Sequence, residues 1–178
     1  MHRRIAAQLL AILWLAVRAD AQATPPADTV KPVPSGWMNG FLLGVPGSGS
    51  GAIPELFTVG ASFTRVHPNH LGGDVSIGTM PYVAAFGVVP IGVRVGLSLP
   101  LNPAPHVLLI PTGGVSLIGA WSPGGGGALA GVNGGGSVVF YTGRIGMKTS
   151  FTLHHFADAQ QPVWLLEWGF VSVPAGLP

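Results

Sequence analysis

The sequence predicts an all-β protein, an eight-stranded antiparallel transmembrane β-barrel of the outer-membrane type. Three observations predict it. Segments of about ten residues carry apolar side chains at every second position, the period of a strand with two unlike faces. Charged residues make up only 8% of the 178, whereas a soluble domain carries about 25% and needs them to cover its surface. The chain also opens with the marks of an export signal.

That signal is MHRRIAAQLLAILWLAVRADAQA, residues 1–23. His2, Arg3 and Arg4 precede an apolar run from Ile5 to Val17, and Ala21 and Ala23 flank Gln22. A basic lead, an apolar core and an A-x-A ending define a cleaved secretory signal. The run falls short of the ~20 residues of a membrane-spanning helix and is cut by Arg18. Beyond it, Lys31, Arg65, Arg94, Arg144 and Lys148 balance Asp28, Glu55, Asp74, Asp158 and Glu167. The formal charge of +2 therefore belongs to the signal, and no basic excess remains to attract nucleic acid. Cysteine is absent, which excludes a disulfide framework and a thiolate metal site.

Residues 24–35 are polar and rich in proline and read as a periplasmic leader. The barrel is expected over residues 36–174. Its strands run approximately 36–45, 55–66, 74–83, 90–101, 107–121, 131–141, 144–156 and 163–174. Connectors such as PGSGSGAIP, HPNHLGG and SPGGGGALA separate them. Gly134, Gly135 and Gly136 weaken the pattern of the sixth. An even count returns both termini to the periplasmic side.

The two faces separate where alternation is clean. In PIGVRVGLSLP, residues 90–100, Ile91, Val93, Val95, Leu97 and Leu99 oppose Gly92, Arg94, Gly96 and Ser98. In the second strand Phe57, Val59, Ala61 and Phe63 oppose Thr58, Gly60, Ser62 and Thr64. In the seventh, Ile145, Met147, Phe151 and Leu153 oppose Arg144, Gly146, Lys148, Ser150, Thr152 and His154. The apolar sets face lipid, and the polar sets fill a lumen just wide enough for side chains. A lumenal charge cluster of Asp74, Arg94, Arg144 and Lys148 follows, with Asp74 the natural partner of Arg94. Trp121, Trp164, Trp168 and Tyr82 supply aromatic girdles at the interfaces.

Two other architectures fit less well. A soluble lipocalin-like barrel inverts the pattern and needs charges outside, which this chain lacks. A polytopic helical reading of residues 82–101 and 107–121 meets Pro90, Pro100, Pro111 and a period of two.

Phosphate and metal motifs are not found. The runs PGSGSG, GGGG and GGG do not continue into G-K-[ST], and the G-x-S-x-G nucleophile pattern does not occur. His67 and His70 of HPNH lack a further marked ligand and read as a solvated turn. No metal and no cofactor are expected.

The stretch SFTLHHFADAQQPVWLLEWGF, residues 150–170, resembles the last hairpin of the outer-membrane lipid A 3-O-deacylases, described also as acyloxyacyl hydrolase-like proteins. Their motif is of the His-His-x-Ser-Asn-Ala type, followed by a turn and a distal acid. Upstream, AAFGVVPIGVRVGL and VLLIPTGGVSL look like the paired central strands of that family. By this resemblance His155 matches the catalytic histidine, and Ala157 stands where the serine nucleophile belongs. Asp158 replaces the asparagine, Ala159 matches the alanine, and Glu167 is the candidate third acid. Positions i and i+2 of a strand share a face, so a serine at 157 would lie beside His155. Alanine has no hydroxyl, which removes the nucleophile of acyl transfer. For Glu167 a second reading stays open, as a lumenal partner of Arg144 or Lys148.

The sequence thus points to a monomeric outer-membrane barrel in contact with lipid. The resemblance implies an ester-hydrolase site impaired at position 157 and a lipopolysaccharide contact near His155. Two alternatives stand beside it: a working lipid A esterase with another nucleophile, and a small structural barrel or narrow pore without a ligand.

Overall fold

The computed structural model describes residues 34–49, 51–52, 57–67, 69–157 and 161–175. The expected export signal, most of the expected proline-rich leader, Glu55, Asp158 and Ala159 lie outside the described residues. In chain order the elements are β1 (Gly36–Ser48), β2 (Gly51–Ala52), β3 (Thr58–Val66), β4 (Gly72–Thr79), α1 (Pro81–Ala84), β5 (Val89–Ser98), β6 (Leu101–Ala104), β7 (Val107–Ser122), β8 (Gly125–Thr142), β9 (Ile145–Phe156) and β10 (Val163–Ser172).

Eight of these strands form a ring. The order β1-β3-β4-β5-β7-β8-β9-β10 is antiparallel throughout, and β10 returns to pair with β1 from Asn39↔Ser172 to Gly47↔Trp164. Ring closure lets backbone groups pair strand to strand, as a chain in hydrocarbon requires. The two short pieces lie beside the ring, β2 on β1 and β6 on β7. One end of the barrel carries the start of β1 and the finish of β10; the other, here called the mouth, carries the β7–β8 and β9–β10 connections.

Side-chain alternation decides what each face meets. In β9 every second residue is buried and every other one exposed along all 12 residues. Outside, Phe41, Phe63, Ile77, Val95, Leu117, Phe140, Phe151, Leu153 and Phe170 stand exposed on successive strands. Inside, Ser62, Thr64, Ser76, Ser116, Lys148, Ser150, Thr152 and Glu167 are buried. A soluble barrel would show the opposite distribution. Residues 89–98 and 107–122 are strands, so the helical reading of that region is wrong.

The third and sixth strands depart most from their expected boundaries. The third barrel strand ends at Thr79, because Pro81 at the first helical position starts the single turn of α1. The sixth, expected over 131–141 with a pattern weakened by glycine, is the longest of the described strands, with 18 residues. Two of its glycines, Gly131 and Gly135, lie where β9 comes close: a Cβ at Gly135 would strike the Phe151 carbonyl and Thr152 Cα. A turn at Pro123-Gly124 then returns β7 into β8, paired already at Ser122↔Gly125.

The aromatic side chains are only partly rim features. Tyr82 and Trp121 are exposed near the mouth. Trp164 is half-buried there, its Nε1 donating to the Ser48 carbonyl at 3.1 Å. Trp168 sits at mid-height, paired with Leu43 and Thr149, which corrects its assignment to a girdle. Trp37, which pattern reading passed over, marks the opposite rim with the Arg65 guanidinium 5.8 Å from its ring.

Candidate functional site in the lumen

The lumen is layered. At the end bearing the termini, Met38, Val66, Leu108, Ile110, Val139, Val171 and Val173 form a buried apolar cluster with Tyr141 packed against it. These residues come from the ends of β1, β3, β7, β8 and β10 and from the residue just after β10. Aliphatic packing therefore stoppers this end.

Above the stopper lies a charged layer. Arg94 of β5 bonds to the neighbouring strand and also reaches across the lumen. Its Nε donates to Ser76 at 2.6 Å, its Nη1 to Thr152 at 2.8 Å and its Nη2 to Glu167 at 2.5 Å. Glu167 also accepts from Ser150 at 3.5 Å. The expected Arg94–Asp74 pair does not form. Ser76, not Asp74, lies opposite Arg94 in the β4–β5 register, and the guanidinium reaches β9 and β10 from there. Asp74 instead accepts from Thr64 at 2.6 Å, and Lys148 donates to the same Thr64 hydroxyl at 3.4 Å. Two cations and two carboxylates thus share one layer, each held by hydroxyls, as buried charge requires.

Nearer the mouth the polar groups change character. His154 of β9 shares a hydrogen bond through its Nδ1 with Ser116 Oγ of β7, 2.9 Å away, and Asn133 of β8 donates to Ser116 at 2.8 Å. The His154 ring stacks on Phe156, with centroids 5.8 Å apart and planes 5° from parallel. Above the Arg94–Glu167 pair is a cavity of about 90 Å³, lined chiefly by apolar side chains, with His154 in its wall.

The residues singled out from sequence divide sharply. Asp74, Arg94 and Lys148 enter the charged layer. Arg144 does not: it lies exposed in the β8–β9 turn, where Gly143 at φ +57° reverses the chain. A position within a two-residue turn lies beyond the alternating wall, so its parity has no lumenal meaning. His155 is exposed on the outer wall opposite Val132, whereas Glu167 points inward to Arg94. The structure therefore does not bring His155 and Glu167 together. Of the two readings of Glu167, the lumenal one agrees with its contacts, though its partner is Arg94 rather than Arg144 or Lys148. Ala157 is exposed just past the end of β9. Ser116 and Asn133 were passed over because isolated polar residues among glycines carry no motif. Parity on β7 and β8 would have placed both inside.

No family model matches the chain, and no curated protein matches it by sequence. Solved structures do. The N-terminal β-barrel domain of Pseudomonas aeruginosa OprF aligns with a TM-score of 0.56 at 13% identity, covering 78% of this chain and 99% of that one. The fold is that of the small outer-membrane barrels. Neisserial surface protein A aligns at a TM-score of 0.54 and 11% identity, covering 76% of this chain and 95% of that one. Ail, the attachment invasion locus protein of Yersinia pestis, aligns at 0.53 and 13%, covering 80% and 99%. At such identities the likeness carries the fold and nothing finer.

Proposed function

We propose that this chain is a monomeric outer-membrane protein, delivered by its N-terminal signal, that serves as a lipid-contacting structural barrel. In its last hairpin it resembles the lipid A 3-O-deacylases, with their ester-hydrolysing serine replaced by Ala157. The observation that carries the reading is the outer wall. Exposed Phe41, Phe63, Val95, Leu117, Phe151 and Phe170 give each sector of the ring an apolar exterior, which suits hydrocarbon and not water. A lumen filled with paired charges and stoppered by aliphatic packing speaks against the reading as a pore. His155 is exposed on that wall beside Leu153 and Val132, in reach of an acyl chain or of lipopolysaccharide. Hydrolysis lacks support: position 157 has no hydroxyl, and the candidate acid Glu167 faces the other side of the sheet, bound to Arg94.

The test is to express the chain with its own leader and follow it to a membrane fraction. The purified barrel is then incubated with lipid A. Insertion into phospholipid vesicles without release of 3-hydroxy fatty acid is the expected result. Ala157→Ser adds a sharper arm, since restored release would reveal surviving deacylase geometry around His155. A detergent-free, water-soluble monomer would overturn the membrane assignment, and release by the unaltered protein would overturn the structural one.

A further inference from the structure

We propose that the rim at the end bearing the termini holds an anionic phospholipid at Arg65, its headgroup phosphate on the guanidinium and an acyl chain along the apolar wall beneath. The proposal rests on the reading of the outer wall as lipid-facing and names the lipid that one sector of it selects.

The observation that carries it is where the exterior charge lies. The charged side chains among the described residues are Arg65, Asp74, Arg94, Arg144, Lys148 and Glu167. Asp74, Arg94, Lys148 and Glu167 bond within the lumen. The described exterior is left with two guanidiniums and no carboxylate. Both are exposed at the same end, Arg65 next to the last residue of β3 and Arg144 in the β8–β9 turn. At the edge of an apolar wall the anion at hand is the phosphate of a lipid headgroup. A zwitterionic headgroup brings its own ammonium to that phosphate, whereas an anionic one leaves it for the protein.

Arg65 has the surroundings of a site. It lies opposite Trp37 in the β1–β3 register, with its guanidinium 5.8 Å from the centre of that exposed ring. An indole settles at headgroup level, so Trp37 fixes the height at which the cation stands. Guanidinium N–H groups match phosphate oxygens in pairs. Beside it, between β3 and β4, exposed His67 shares a 3.0 Å hydrogen bond with Ser35, and its ring centre is 4.5 Å from that of His70. The wall below offers a track for an acyl chain. Continuing the Thr64↔Asp74 register puts Gly73 opposite Arg65, and a Cβ built at Gly73 meets no atom within 4 Å. Next come Phe63 and Val75, then the small Ala61 between Phe41 and Ile77. Cation, interfacial ring and apolar track thus follow one another down a single sector.

The experiment titrates the purified protein in neutral detergent with phosphatidylglycerol or with phosphatidylcholine of the same acyl chains, and counts retained lipids by native mass spectrometry. One phosphatidylglycerol is expected to bind saturably, with a preference of roughly fivefold, the effect of one basic side chain at an anionic membrane surface. Arg65→Ala should abolish the preference. Arg144→Ala, which removes the same charge from the far side of β1 and β10 in the ring, should keep it. Gly73→Phe fills the open step beside the guanidinium and should weaken retention while β-barrel circular dichroism is kept. Should that variant fail to fold, Trp37→Ala probes the same corner from β1. Excess glycerol 3-phosphate, a headgroup without acyl chains, should not displace the lipid. The proposal is overturned by equal retention of the two lipids, by equal losses in Arg65→Ala and Arg144→Ala, or by displacement with glycerol 3-phosphate. Insertion into vesicles is measured alongside: a protein that inserts without the preference overturns this proposal alone. One that does not insert overturns the lipid-facing wall on which it rests.

Discussion

The two ends of the lumen solve one problem in different ways. At the end bearing the termini, Met38, Val66, Leu108, Ile110 and Val139 close the barrel by shape. Half-way up, closure depends on Arg94 reaching Glu167, Ser76 and Thr152, and beyond that layer space remains. Aliphatic packing seals because its contacts are non-directional and add up over many neighbours. A hydrogen-bonded charge layer holds fixed distances, so the side chains above it are free to leave a cavity. The difference teaches that the interior is not uniform filler: one end is a stopper, and the other has a charged floor beneath an unfilled mouth.

Breaking the charged layer should have the largest effect. Glu167→Ala leaves Arg94 buried without its carboxylate, and a loss of roughly 3–5 kcal/mol is expected in equilibrium urea unfolding from phospholipid vesicles. Replacing both partners by leucine should return most of that loss, since no unpaired charge is left behind. Equal destabilisation by the single and double variants would mean that the layer acts through packing alone. The stopper comes next. Ile110→Ala should cost roughly 2–4 kcal/mol, as for other buried aliphatic truncations, with no coupling to Glu167→Ala. Strong coupling between the two would contradict the division into separate layers. Arg144→Ala should have the smallest effect, within about 0.5 kcal/mol, because the side chain is exposed in a turn. A loss comparable to that of Glu167→Ala would place Arg144 among the lumenal charges after all.

Much of this division was legible in the chain before any coordinates. Period-two alternation assigned Arg94, Lys148 and His154 to the inside and Phe151 and Leu153 to the outside, because a strand leaves no third choice of face. The same rule failed at Arg144, where the strand has ended and parity no longer refers to a wall. It also misjudged β8, whose Gly134–Gly136 run reads as weakness in one dimension. In three dimensions Gly135 lets β8 and β9 approach more closely than any side chain there would allow. The motif around His155 suggested a partnership with Glu167 that the sheet divides between its two faces.

By itself the sequence determined the class of fold and the sidedness of each strand, since hydrophobic alternation and scarcity of charge are local properties that any observer of the chain can count. Only the closed tertiary structure decided which charges meet. Arg94 and Glu167 are separated by 73 positions and come together because ring closure carries β10 across the lumen from β5. The meetings of Lys148 with Thr64 and of His154 with Ser116 likewise depend on strand register and barrel diameter, which no local pattern encodes.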